Sequence, residues 1–183
     1  MGTFTVTDAA APAPPPDDAD DAFGADRTFE RWALAAYLFV CTGLVAAIGL
    51  WLGRFVYVLD DPAIHLAVSG NLADHGTWGV VPGHFESASS SPLWTLALAA
   101  ALTVTPAAVA HWLPLALNLA AGAVVLVILG RDQTLLRPSR DRPTDAAVTA
   151  VLAVVVLFLP GLAVVGMEHT LHVALVLAAV VSF

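Results

Sequence analysis

The sequence predicts an all-α membrane protein with about four transmembrane helices, the last of them incomplete, and with juxtamembrane helices in a long first extracytoplasmic loop. Two observations support this prediction. The composition, with 58% hydrophobic and 12% charged residues and a mean hydropathy of +0.81, lies outside the usual range of soluble domains. The hydrophobic residues also fall into uncharged runs of about the length that crosses a bilayer, separated by polar segments.

An acidic tail of residues 1 to 30 precedes the apolar runs. It holds seven acids and one arginine, and its Ala, Pro and Asp offer too little apolar surface to offset the entropy of ordering. We expect a disordered cytoplasmic segment and no signal peptide, because no basic region leads into an early apolar core. The whole chain has no lysine and a net charge of −8, which argues against nucleic-acid binding.

The first apolar run, residues 32 to 52, is the first predicted span. It has 21 residues without a charge, enough to cross a hydrocarbon core of about 30 Å. Arg27 and Arg31 precede it and Arg54 follows it, so the positive-inside rule places the N-terminus in the cytoplasm. The polar segment of residues 53 to 109 is therefore predicted to be an outer loop.

Two further spans follow from the same charge rule. Residues 110 to 129 form the second, and the four arginines of residues 130 to 145 make that loop cytoplasmic. This topology requires that the short apolar run at 92 to 104 does not cross, so we expect an interfacial or re-entrant helix there. The third span is predicted at 146 to 167, with a kink at Pro160-Gly161.

The last apolar run, residues 171 to 183, gives a fourth span of only 13 residues. That is about two thirds of the length that a crossing needs. Either this helix is incomplete or the chain is a fragment, and the second interpretation is preferred. The prediction is a multi-pass protein of the cell membrane, with the lipid bilayer as its first partner.

The outer loop contains a predicted surface helix. Asp61-Pro62 has the form of a helix start, and Gly76 has that of a C-terminal cap. The apolar residues between them recur every four positions and define a membrane-facing line: Ile64, Val68 and Leu72. The polar residues that lie off this line are His65, Ser69 and Asn71.

Four carboxylates are expected on the outer face at interfacial depth: Asp60, Asp61, Glu86 and Glu168. Ionisable groups are costly near a bilayer, so these acids suggest a functional site, although isolated carboxylates in a loop are often simply solvated. Asp60 lies just ahead of a helix N-terminus, where the dipole keeps it ionised, as a base or a metal ligand requires. Glu168 and His172 are four residues apart, hence on one helix face, and can share an ion.

Short motifs follow one another through the predicted outer loops: Leu59-Asp60-Asp61-Pro62-Ala63-Ile64, Gly70-Asn71-Leu72 with Gly76, Glu86 ahead of Ser91-Pro92-Leu93-Trp94, and Gly166-Met167-Glu168-His169. Their order and the topology resemble the N-terminal module of GT-C glycosyltransferases, above all the arabinofuranosyl- and mannosyltransferase-like members. Those polytopic enzymes take a sugar from a lipid-linked phosphate on the extracytoplasmic side. The resemblance covers about residues 32 to 183.

The resemblance implies a role for each candidate residue. Asp60, Asp61 and Glu86 are the implied catalytic carboxylates, with Asp60 as the base that activates an acceptor hydroxyl. Glu168 and Asp60 are the implied ligands of a divalent metal ion, the one cofactor expected, which neutralises the leaving phosphate. The implied substrate-binding residues are His65, His169 and His172.

Two functions follow from these expectations. The first is the N-terminal part of a cell-envelope glycosyltransferase that moves a sugar from a polyprenyl-phosphate donor to an extracytoplasmic acceptor. Such a chain is not expected to be active alone, because family members continue through many more helices, and it then needs a partner chain or a C-terminal continuation. The alternative is a noncatalytic small membrane protein or subunit that retains a degenerate GT-C module. A transporter fragment is disfavoured, because polar residues are nearly absent from the middles of the spans.

Overall fold

The structure, a computed structural model, describes residues 18–132 and 143–182, with side chains from 28 to 132 and from 144 to 182. In this part of the chain every regular element is a helix, which confirms the predicted all-α class. The elements are α1 Asp18–Leu52, α2 Asp61–His75, α3 Pro92–Leu102, a 3-10 helix Ala107–Trp112, α4 Leu113–Arg131, α5 Pro143–Val156, α6 Leu159–Val165 and α7 His169–Val181.

Two helical stretches are long and apolar enough to cross a membrane. They are Thr28–Leu52 within α1, and Ala107–Arg131, in which the 3-10 helix continues into α4. The two helices α5 and α6 make a third only if they are counted together, since they meet at an angle of 41°. The 13 residues of α7 are too few to span. The described residues therefore provide two or three spans, and the predicted count of four is not confirmed.

The bend between α5 and α6 lies slightly before the predicted kink at Pro160-Gly161. Phe158 has a left-handed backbone, with φ 51°, and is the N-cap of α6. Pro160 falls in the first turn of α6, where its missing N–H has no helical partner to lose. The Phe158 ring occupies the space that a side chain on Gly161 would need. The left-handed residue thus breaks the helix, and the proline begins the next one.

The core of the bundle forms along one face of α1. Phe29, Ala33, Tyr37 and Cys41 recur every four residues, and all four are buried. They belong to one cluster with residues of α4, α5, α6 and α7, and α4 lies among α1, α6 and α7. The Tyr37 hydroxyl donates a hydrogen bond to the backbone oxygen of Asn118 at 3.2 Å, which links the two principal spans. The bundle is thus built around α1 and α4.

The predicted acidic tail and the predicted cytoplasmic loop lie only partly within the described residues. Residues 1 to 17 of the tail lie outside them, whereas residues 18 to 30 belong to α1. The helix therefore begins inside the segment that was expected to be disordered, and residue 30 is not a structural boundary. Of the loop predicted at 130 to 145, residues 133 to 142 lie outside the described part.

The long segment between α1 and α4 contains the two predicted short helices. The bounds predicted for α2 agree with the structure, and Gly76 ends it in a left-handed conformation with φ 64°. The N-cap is Asp60 rather than Asp61, so Pro62 still lies in the first turn. α3 has 11 residues, too few to cross a bilayer, and packs against α2. The two helices form a pair at one end of the bundle.

Candidate functional site

A polar stripe on α2 faces the interior of the protein. Asp61, His65 and Ser69 are spaced four residues apart and so share one helix face. His65 is 3% exposed and Ser69 is completely buried, while Asp61 is half-buried. His65 and Ser69 were predicted to lie off the apolar line of α2, and they do, but the face that they occupy is itself buried. Of the predicted apolar line, Val68 is completely buried, whereas Ile64 and Leu72 are partly buried.

The stripe turns inward because the start of α3 supplies its hydrogen-bond partners. The Ser69 hydroxyl donates to the backbone oxygen of Thr95 at 3.0 Å. The Oγ of Ser89 lies 3.2 Å from Nδ1 of His65 and 2.6 Å from Oγ1 of Thr95. The Thr95 hydroxyl donates in turn to the backbone oxygen of Ser91 at 3.2 Å. Buried polar groups are stable only when they are partnered, and this network provides the partners.

The network fixes the His65 ring so that its other nitrogen faces Glu168. Nε2 of His65 lies 3.8 Å from Oε2 of Glu168, and this oxygen is buried without a hydrogen-bond partner. Glu168 itself is only 7% exposed. A distance of 3.8 Å is too long for a hydrogen bond but close enough for strong electrostatic attraction when the two groups carry opposite charges.

Glu168 reaches α2 because the turn before α7 packs on the start of α2. Gly166 has a left-handed backbone with φ 79° and ends α6. A Cβ at this position would lie 2.5 Å from the Tyr57 ring and 3.1 Å from Cγ of Pro62. Only glycine allows so close an approach of this backbone to the two side chains. The turn of residues 166 to 168 and the start of α2 thus form one site.

Tyr57 holds the other side of this contact in place. Its hydroxyl donates to the backbone oxygen of His111 at 2.8 Å and accepts from the backbone N–H of Leu115 at 3.1 Å. Burial raises the pKa of Tyr57 to about 12, so the hydroxyl keeps its proton at all physiological pH values. The segment after α1 is therefore tied to the start of α4 by a neutral, permanent donor.

Glu168 also belongs to a group that can hold a metal ion. One ligand atom each from Glu168, His169 and His172 lies within 4.8 Å of the others. Two ligands at about 2.1 Å from an ion lie at most about 4.2 Å apart, so small side-chain movements would complete the site. One carboxylate and two imidazoles suit a divalent transition metal, and the buried oxygen of Glu168 lacks a partner. The residues present therefore fit a divalent cation. Because His169 and His172 are exposed, the site that they form with Glu168 is accessible to solvent.

Asp60 and Asp61 lie at the N-terminus of α2. Asp60 is exposed, and its side chain makes no capping hydrogen bond, while its backbone oxygen accepts from the N–H groups of Ala63 and Ile64. Asp61 lies one turn before His65 on the same face of α2. The metal-binding group found among the described residues does not include Asp60, which was predicted to be a ligand.

Glu86 lies in the loop between α2 and α3, and its contacts are made within that loop. The side chain is exposed and accepts a long hydrogen bond, 3.4 Å, from the backbone N–H of Val80. Its own backbone N–H donates to Trp78 at 2.9 Å. The amide of Asn71 fastens the same loop to α2 through the oxygens of Gly79 and Val80, at 2.8 and 2.7 Å. The hydrogen bonds described for Glu86 thus all lie within this loop.

The hydroxyl residues of the site were not predicted from the sequence. Ser89 and Ser91 precede Pro92, and a serine before a proline is ordinarily taken as a helix cap. Ser91 is indeed the N-cap of α3, although its side chain makes no capping hydrogen bond. Ser89 and Thr95 acquire their role only when α3 packs on α2. A polar line on α2, spaced every four residues, was the one available signal.

We expect Ser89→Ala to destabilise the protein by about 1–3 kcal/mol, because His65 and Thr95 each lose a hydrogen-bond partner in a buried site. Ser90→Ala is the matched control, since Ser90 is exposed and adjacent. The measurement is denaturant unfolding of both variants in detergent. Equal stability of the two variants would show that the hydroxyl network contributes nothing.

Comparison of the chain with models of known protein families, with curated proteins and with solved structures finds no match in any of the three. Function is therefore inferred from the site. The geometry and chemistry of a site are evidence for its function. A helical bundle alone is not, because one fold can have many functions.

Proposed function

We propose that this chain is the N-terminal part of a membrane glycosyltransferase of the GT-C type. It would transfer a sugar from a polyprenyl-phosphate donor to an acceptor outside the cytoplasm, with the N-terminus in the cytoplasm. The observation that supports the proposal is the contact between Glu168 and His65. It joins two polar segments that the resemblance assigns to one catalytic face, and it buries an acid where an acid is costly.

Asp60 is the proposed general base. Its carboxylate is exposed at the N-terminus of α2 and makes no capping hydrogen bond. The acceptor oxygen bonds to the anomeric carbon of the sugar as the bond from that carbon to the phosphate oxygen breaks. The acceptor proton passes to Asp60, and the lipid phosphate leaves with the bonding electrons. Because a phosphate is a good leaving group, correct positioning and one ionised base supply much of the catalysis.

Glu168, His169 and His172 would hold a divalent cation beside the departing phosphate. When bound, such an ion neutralises the charge that develops on the leaving group. The chain's own contribution is to orient the ligands. Ser89 and Thr95 fix the His65 ring, and His65 keeps the Glu168 carboxylate at the edge of the bundle. The proposal thus gives His65 a positioning role in place of direct contact with substrate, as its burial favours.

Asp60→Asn tests the proposal. The assay uses the full protein in its native membranes. We expect transfer from a polyprenyl-phosphate sugar to fall at least about tenfold, because an asparagine cannot take the proton of the acceptor hydroxyl. Asp74→Asn is the matched control, an exposed carboxylate near the other end of α2, and should transfer normally. Both variants must insert in equal amounts. Unchanged transfer by Asp60→Asn would exclude Asp60 as the base, and absence of transfer by the unaltered protein would favour the noncatalytic alternative.

A further inference from the structure

A second concave surface lies beside the candidate site, at the end of α1. It is an open groove of about 590 Å³ between the segment after α1, the 3-10 helix and α2. Most of its lining is apolar or aromatic. The residues used below are Arg54, Phe55, Tyr57, Ala63, His111 and Trp112.

The floor of the groove is a rigid aromatic cluster. The rings of Phe55 and Trp112 stack with centroids 4.8 Å apart and planes 14° from parallel. Tyr57 meets Phe55 edge to face at 5.1 Å, and His111 lies 4.9 Å from Trp112. The Tyr57 hydroxyl is hydrogen-bonded to His111 in the 3-10 helix and to Leu115 in the first turn of α4, and these two bonds hold the floor in place. Such a surface binds the apolar part of a ligand without being reordered.

Arg54 gives the groove an unmatched positive charge. It is exposed and makes no ion pair with any residue in the described part of the chain. No other arginine or lysine occurs between residues 32 and 130. Arg54 follows directly after the first candidate span, whose last turn exposes Leu50 and Trp51 almost fully. A guanidinium at this position lies at the depth of lipid headgroups, where phosphates are its natural partners.

The groove is distinct from the Glu168 site. Ala63 lines it, whereas His65 faces Glu168, and at about 100° per residue the two side chains point about 160° apart on α2. A ligand in the groove therefore packs on a different face of α2 from the one that carries His65, next to Leu59 and the proposed base Asp60.

We propose that this groove binds the headgroup of an anionic glycerophospholipid from the surrounding bilayer. The Arg54 guanidinium pairs with the phosphate, and the aromatic floor packs against the glycerol and the first methylenes of the acyl chains. The unpaired cation, the apolar walls and the position at the end of a span all match this one occupant. The proposal holds for either orientation in the membrane, and it does not depend on glycosyl transfer.

Native mass spectrometry of the detergent-purified protein, titrated with phosphatidylglycerol or phosphatidylcholine, tests this. We expect preferential binding of phosphatidylglycerol, and a decrease of about tenfold in its affinity for Arg54→Gln, the scale of a charge-assisted hydrogen bond. Ala63→Phe, which fills the groove from an exposed helix position, should weaken binding similarly with the charge retained. Arg131→Gln is the matched control, because Arg131 is exposed at the other end of the bundle, where it pairs with Glu30 at 3.5 Å.

Four results would overturn the proposal. Arg54→Gln binding phosphatidylglycerol as tightly as the unaltered protein would exclude the phosphate contact. Equal binding of the two lipids would exclude charge recognition. Displacement of phosphatidylglycerol by millimolar inorganic phosphate would make the groove a simple anion site. Displacement by an equimolar polyprenyl phosphate would assign the groove to the donor lipid.

Discussion

Glu168→Gln is expected to reduce glycosyl transfer by at least about a hundredfold while leaving the fold intact. Glutamine keeps the size of the side chain and removes its charge, so the proposed metal site would lose its one carboxylate ligand, and with it the ion that would neutralise the leaving phosphate. The measurement is transfer in native membranes, with the metal content of the purified protein as a second readout. We expect metal content to fall with activity.

The same variant should change the free energy of unfolding by less than about 1 kcal/mol. Glu168 buries an oxygen that has no hydrogen-bond partner, and Nε2 of His65 lies 3.8 Å from it. Replacing such a buried charge by a neutral amide removes a desolvation cost together with an attraction. Large loss of function with little loss of stability is the pattern of a functional residue.

Glu30→Gln is the control for Glu168→Gln. Glu30 also pairs with a basic residue, Arg131 at 3.5 Å, but at the opposite end of the bundle. We expect it to leave transfer and metal content unchanged. If Glu168→Gln transferred as well as Glu30→Gln, the buried acid would have no catalytic role. If it unfolded instead, the His65 contact would be structural.

Gly166→Ala is expected to destabilise the protein by about 2–4 kcal/mol. A left-handed alanine costs about 1 kcal/mol, and overpacking against the Tyr57 ring and Pro62 costs about 1–3 kcal/mol more. Because the turn must move away from α2, Glu168 should also separate from His65. Denaturant unfolding in detergent measures the first effect, and metal content reports the second.

Gly83→Ala separates the two contributions to this cost. Gly83 has φ 78°, almost the same as the 79° of Gly166, but open space where the new methyl group would lie. It should therefore show only the backbone cost of about 1 kcal/mol. Equal destabilisation by the two variants would mean that the turn does not press on the start of α2.

Local signals predicted the ends of α2 and the shortness of α3. Asp61-Pro62 and Gly76 are strong markers of helix ends, because proline fixes φ in the first turn and glycine readily adopts the left-handed conformation that ends a helix. The buried face of α2 could not be predicted in this way, since it depends on hydroxyl partners at the start of another helix. The position of the bend after α5 could not be predicted from the sequence either. Phe158 adopts a left-handed conformation that its residue type does not favour.

The candidate site was predictable only where it is local. The spacing of Glu168 and His172 predicted that they share a helix face, and the structure brings them together with His169. The contact of Glu168 with His65 depends on the packing of two distant segments through Gly166, which no periodicity reveals. Asp60 was selected for its position at a helix N-terminus and, like Glu86, from the order of the motifs, and neither observation predicts a distance between side chains. The described structure accordingly unites some of the predicted residues and leaves others apart.

The distance along the chain between His65 and Glu168 has a consequence for biosynthesis. The ribosome completes α2 long before it makes the turn that provides Glu168. The nascent chain therefore contains His65 without Glu168 for several seconds of elongation. Once α3 has been made, the chain contains the hydroxyl partner of His65 but not Glu168. The contact between His65 and Glu168 can form only after the turn before α7 has left the ribosome, so termination before residue 168 would yield a chain that lacks this contact.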